Sequence, residues 1–128
     1  MSCAYIAFTE TGLKLAERLA LSHPGSIRRG GKNGVKLSDW TAENFQKSDA
    51  LIFIGAVGIA VRAIAPHCKS KATDPAVIVL DERGRFSIPI LSGPLGGAND
   101  LAKKLASICG AVPVITTATD VEGVVAVD

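Results

Sequence analysis

The sequence predicts an α/β fold, a mainly parallel sheet with helices on both faces and one β-hairpin. Three observations point there. Residues 50–54, Ala-Leu-Ile-Phe-Ile, are unbroken apolar sequence, the pattern a strand needs when both of its faces are covered. Short apolar runs of this kind alternate with segments whose apolar residues recur at helical spacing. Hydrophobic residues make up 48% of the 128 residues and aromatics only 5%, so Ala, Val, Ile and Leu must build the core.

Cys3 to Phe8 is the first apolar run and reads as a strand. Thr9-Glu10-Thr11-Gly12 is a cap-like turn, after which Leu13, Ala16, Leu19 and Ala20 mark a helix that His23-Pro24-Gly25 stops. Residues 26–29 suit a short strand, and Gly30-Gly31-Lys32-Asn33-Gly34 a flexible turn. Ser38-Asp39 reads as the cap of a second helix reaching Lys47, with Trp40 and Phe45 toward its buried side. The central strand, 50–54, ends in Gly55-Ala56-Val57-Gly58, and a short helix continues to Pro66. Ala76 to Leu80 and Phe86 to Ile90 form the hairpin across Asp81-Glu82-Arg83-Gly84, with Asp81 starting its turn and Asp74 starting another before Pro75. Ser92 to Gly97 leads into a strong helix, Ala98 to Ile108, closed by Gly110. Val112 to Ile115 is the last clear strand, with Val124 to Val127 as a further candidate. Together these elements make one compact unit over 1–128, flavodoxin-like or of a related three-layer architecture, with a soft boundary near 66–74.

Charge is sparse and uneven. The net charge is +2, too small to imply nucleic-acid binding. Residues 1–73 carry ten Lys/Arg against five Asp/Glu, while residues 74–128 carry four against seven, so the first part favours an anionic ligand. Arg28, Arg29, Lys32 and Lys36 stand without an acid among them, and Arg62, His67, Lys69 and Lys71 form a second acid-free run. Cys3, Cys68 and Cys109 are isolated and odd in number, as in a reduced cytoplasmic protein. Neither a signal peptide nor a membrane span is expected, because Glu10 comes too early and the uncharged stretch 105–119 is short and broken by Gly110 and Pro113. No metal site is expected, since His23 and His67 lack partners at zinc spacing.

Three turns after strands are candidates for binding: Gly55 to Gly58, Ser92 to Asn99 with Gly93, Gly96 and Gly97, and Thr116 to Asp120. Glycine lets backbone approach a ligand, and free amides at a helix start attract oxyanions. The alternative is that these glycines only make tight turns. Thr116, Thr117, Thr119 and Asp120 either bind substrate and hold a water, or form a capped turn serving the backbone. Asn99 either binds ligand or caps its helix. The first turn has G-x-x-G and no Walker lysine, which makes nucleotide binding a weak reading.

Taken together, IFIGAVGIAVRAIAP, KATDPAVIVLDERGRFSIPILSGPLGGANDLAKKLA and PVITTATDVEGVVAVD resemble the cobalt-precorrin-5A hydrolase family (CbiG) of anaerobic cobalamin biosynthesis. The resemblance is densest from Leu51 to Asp128. It implies an enzyme that opens the lactone of cobalt-precorrin-5A with water and releases acetaldehyde, or a tetrapyrrole-binding or assembly subunit of the same pathway. Cobalt would enter with the tetrapyrrole substrate, with no other cofactor. Asp120 is then the expected general base, with Thr117 and His67 as further catalytic candidates. Amides around Gly96-Gly97 are the expected oxyanion donors. Gly55, Gly58, Arg62, Ser92, Gly93, Asn99, Thr116 and Thr119 are expected to bind substrate. The family's usual glycine-histidine pair reads Gly93-Pro94 here, and family members continue into a C-terminal domain. A separate C-terminal subunit is therefore an expected partner, and a homo-oligomer is left open.

Overall fold

The computed structural model describes residues 1–118. Six strands form one sheet in the order β2-β1-β3-β4-β5-β6: β1 Cys3–Ala7, β2 Gly25–Arg29, β3 Ala50–Ile54, β4 Ala76–Leu80, β5 Phe86–Leu91 and β6 Val112–Pro113. The first four are parallel neighbours, as the apolar runs predict. β5 runs antiparallel to β4, and β6 runs parallel to β5. The expected hairpin therefore forms, but a further strand covers its outer side.

Side chains alternate across the sheet and fill two cores. Tyr5, Ile52, Ile54, Ile78 and Leu80 point to the face covered by α1 (Glu10–Ser22) and α4 (Ala98–Cys109). Ile6, Leu51, Phe53, Val77 and Val79 point to the opposite face, where α2 (Leu37–Lys47) brings Trp40 and Phe45 and α3 (Val57–Ile64) brings Ala60 and Ile64. The result is the predicted three-layer α/β arrangement. β1, β3 and β4 are buried at every position, which explains why they read as continuous apolar runs.

Local chemistry places the joints. The Thr9 hydroxyl accepts the Gly12 amide at 3.0 Å, capping α1. The Asp81 carboxylate accepts the amides of Arg83, Arg85 and Phe86, holding the turn of the hairpin as expected. Asp74 accepts the amides of Lys69 and Ser70, closing the loop between the 3-10 turn Ala65–His67 and β4. α1 begins at Glu10, inside the expected cap-like turn, and the bounds of α2 and β6 also differ from expectation. α2 begins at Leu37, with Lys36 rather than Ser38 at its cap and no side-chain cap bond. β6 is only Val112–Pro113, held to β5 by the amides of Val112 and Val114, which donate to the Arg85 and Ser87 carbonyls; Pro113 between them turns its nitrogen to the outer edge, where no ladder amide is needed.

Candidate functional site

The three candidate turns do not converge. Thr9, Gly31, Gly55-Ala56 and Asp81 follow the carboxyl ends of the parallel strands β1 to β4. Because β5 runs the other way, Ser92 emerges at their amino ends, where its hydroxyl donates to the Asp74 carbonyl at 3.0 Å. The Gly55 turn and the Ser92 turn thus occupy opposite ends of the sheet. The direction of a single strand therefore keeps the first and second candidate turns apart.

At the amino end, the loop from Ser92 to Gly97 is wound tightly around Asn99. Ser92 has a φ of 57° and Gly97 a φ of 83°. A Cβ on Gly93 would stand 2.7 Å from Asn99 Oδ1, and one on Gly96 would stand 2.5 Å from Ser92 Cβ and 2.9 Å from its carbonyl oxygen. A Cβ at Gly96 would meet backbone that cannot move, and one at Gly93 would have to displace the Asn99 amide. The Gly96 and Ala98 amides donate to the Ser92 carbonyl at 3.1 and 3.2 Å, and the Asn99 amide donates to the Gly93 carbonyl at 3.1 Å. The amide of Gly96 is therefore engaged within the loop.

Asn99 is 4% exposed and does not occupy the cap position, which is Gly97. Its Nδ2 donates to Thr117 Oγ1 at 2.9 Å, so the second and third candidate turns do meet. Thr116 is exposed beside them. Thr119 and Asp120 lie outside the described residues. Two clefts flank the loop, of about 470 Å³ beside Gly97, Asp100 and Lys104, and about 500 Å³ beside Gly96, Asp49 and Asp74. Asp49 is held below the usual carboxylate range, first by the Ser2 amide at 2.8 Å and then by the Ser2 hydroxyl.

On the other side of the sheet, Arg62 and His67 come together with two residues that sequence reasoning did not assign to binding. Arg62, His67, Lys36 and Ser38 line a groove of about 520 Å³ between α2 and α3, with Leu37, Ile59, Ala63 and Pro66 as its apolar part. The His67 ring packs 5.6 Å from that of Phe45. Lys36 belongs to the acid-free stretch visible in the sequence, but its meeting with Arg62 depends on how α2 and α3 pack. Ile59 also borders a cleft of about 370 Å³ at the carboxyl end, beside Gly55, Thr9 and Glu82. There the Thr9 hydroxyl donates to Glu82 at 2.5 Å. Gly55 has little spare room, since an added Cβ would stand 3.2 Å from the Phe8 ring. Gly58 faces open space.

His67 thus belongs to the α2–α3 layer, while Thr117 is tied to Asn99 of α4 on the opposite layer. Among the described residues, no group of three His, Cys, Asp or Glu side chains is placed to hold a metal, and no helix is long and apolar enough to cross a membrane.

Residues 39–120 match the family model described as "Cobalamin synthesis G N-terminal", a span that runs from α2 through the groove and the Ser92 loop to Asp120. The chain belongs to this family. It is 44% identical, over 99% of its length, to a cobalt-precorrin-5A hydrolase of Salmonella typhimurium, of which it covers 38%. It is also 49% identical, over 66% of its length, to a cobalt-precorrin-5A hydrolase of Priestia megaterium, of which it covers 22%. Among solved structures, a cobalamin biosynthesis protein G homolog from Sulfolobus solfataricus matches with a TM-score of 0.73 at 28% identity, over 90% of this chain and 36% of that one. The family resemblance read from the motifs is confirmed, as is the α/β fold. The chain spans well under half the length of each of these relatives.

Proposed function

We propose that this chain supplies the N-terminal, substrate-holding unit of a cobalt-precorrin-5A hydrolase. The observation that carries the reading is the 44% identity, across 99% of the chain, to the Salmonella protein of that name. On this reading water adds to the lactone carbonyl and the ring carbon–oxygen bond breaks to give a carboxylate and an alkoxide. The alkoxide collapses to a carbonyl as its carbon–carbon bond to the macrocycle breaks, the macrocycle carbon keeps the electron pair and takes a proton, and the two-carbon fragment leaves as acetaldehyde. Cobalt arrives in the tetrapyrrole as part of the substrate. The reaction belongs in the cytoplasm, where the three unpaired thiols stay reduced.

Several features support a division of labour. Arg62 faces an open groove and is suited to meet substrate carboxylates. The Ser92 loop holds a non-glycine residue at positive φ, the kind of local strain that collects at functional sites. It also fixes Asn99 against Thr117, three residues before Asp120. Asp120 is assigned as the base that takes a proton from the attacking water.

The test is incubation with cobalt-precorrin-5A, alone and with the remaining portion of the Salmonella relative, while released acetaldehyde is measured. Release in either arm supports the reading. Tight binding with no acetaldehyde in both arms overturns it and assigns the chain to binding or assembly. A Pro94→His variant that restores turnover without changing affinity favours the binding or assembly role for the natural chain.

A further inference from the structure

We infer that the groove between α2 and α3 is a binding site for the carboxylates of an amphipathic ring compound, and that Lys36 and Arg62 act there as a pair. The inference rests on the reading of the chain as holder of a carboxylated tetrapyrrole, and deepens it by naming the site.

Charge decides among the clefts. The groove is lined by two cations, Lys36 and Arg62, and by no carboxylate. Four other clefts each contain at least one: Asp100, Asp49 with Asp74, Asp81 with Glu82, and Asp39 with Glu43. A polyanion entering any of those meets repulsion that the groove does not present. Among the described residues neither Lys36 nor Arg62 has a carboxylate within 4.0 Å, so both ammonium and guanidinium are available to a ligand.

Two further features fit the same ligand. α2 begins at the groove and no side chain caps it, so first-turn amides are offered there, while Asp39 in the same turn lines the neighbouring cleft and not the groove. Leu37, Ile59, Ala63 and Pro66 make the apolar part of the lining, and Ile59 is 41% exposed, a surface that a flat hydrophobic ring would cover. Carboxylates at the rim of such a ring would reach Lys36 and Arg62 while its face lay on Ile59 and Pro66. His67 and Ser38 supply additional hydrogen-bonding groups at the edge.

The test titrates the chain with uroporphyrin, a metal-free tetrapyrrole with carboxylates around its rim, and follows quenching of the single tryptophan, Trp40. Quenching by energy transfer reports binding wherever it occurs in a chain of this size; the variants report where. The double variant Lys36→Ala/Arg62→Ala is expected to weaken binding about tenfold, an effect that shrinks as salt is raised. Lys103→Ala, an exposed cation on α4, is expected to leave affinity unchanged. Both altered groove residues are exposed, so the double variant should melt near the parent temperature. Equal affinity of parent and double variant, or an equal loss in Lys103→Ala, overturns the inference.

The site and the activity fail separately. Uroporphyrin binding that depends on Lys36 and Arg62, without any acetaldehyde release, removes the activity and leaves the site. Acetaldehyde release with an unchanged KM in the double variant removes the site and leaves the activity.

Discussion

The side chain of Asn99 donates to the hydroxyl of Thr117 at 2.9 Å, joining the start of α4 to the chain that leaves β6 eighteen residues later. Asn99 is 4% exposed, and the Ser92 loop closes over it. Replacing it with Leu keeps the bulk and removes the donor. Asn99→Leu is expected to cost about 0.5–1.5 kcal/mol, because the part-buried Thr117 hydroxyl loses this donor. Urea unfolding measures this, and an unchanged midpoint would show that the bond contributes nothing to the fold.

Gly96 and Gly58 give opposite expectations for the same substitution. Gly96→Ala places a Cβ 2.9 Å from the Ser92 carbonyl oxygen, a backbone atom that cannot swing aside, and should destabilise by about 1–3 kcal/mol. Gly58→Ala meets nothing within 4 Å and lies in the first turn of α3, so it should stabilise by about 0.4–1 kcal/mol. Thermal melts of the two variants should move to either side of the parent, and a shift of both in one direction contradicts the loop geometry.

Asp49 predicts a pH dependence with a definite sign. Its carboxylate is favoured in the folded chain by the Ser2 amide and hydroxyl, so its folded pKa lies below the ordinary value of 3.8. The stabilisation is present above that value and is lost as pH falls through the lower, folded one. Asp49→Asn should therefore melt below the parent at neutral pH, with the gap closing under strongly acidic conditions. A gap that is constant from neutral to strong acid would rule the carboxylate out as its source.

The three thiols should differ in reactivity. Cys3 is buried, and burial pushes its thiol up from the usual 9.0. Cys68 is exposed, although partial desolvation, with a smaller contribution from the Asp74 charge, raises its pKa too. Iodoacetamide on the native chain should modify Cys68 first, faster as pH rises toward 9. Cys3 should react only after unfolding; its early modification, read by peptide mass, would contradict the buried β1.

Much of the fold was legible because local patterns carry it. Burial on both faces makes β3 and β4 apolar at every position, and Asp81 has the carboxylate that a tight turn needs for its amides. The candidate site was legible only in part. Asn99 and Thr117 were singled out as possible local caps, and each has a local role that sequence supports equally well. That they face each other depends on β6 adding to β5 and carrying the chain back to α4. Lys36 was visible as one cation in an acid-free stretch, without any sign that Arg62 would stand across a groove from it.

The sequence by itself determined the α/β class, the alternation of elements, the hairpin and the family, because these follow from hydrophobic period, turn chemistry and motif order along the chain. Tertiary structure alone decided which candidates share a place. Reversal of β5 separated the Gly55 turn from the Ser92 turn, and packing of α2 beside α3 assembled the acid-free groove. The physical reason is that periodicity tells a residue's face, whereas strand order and helix packing are settled by burial of distant side chains against one another.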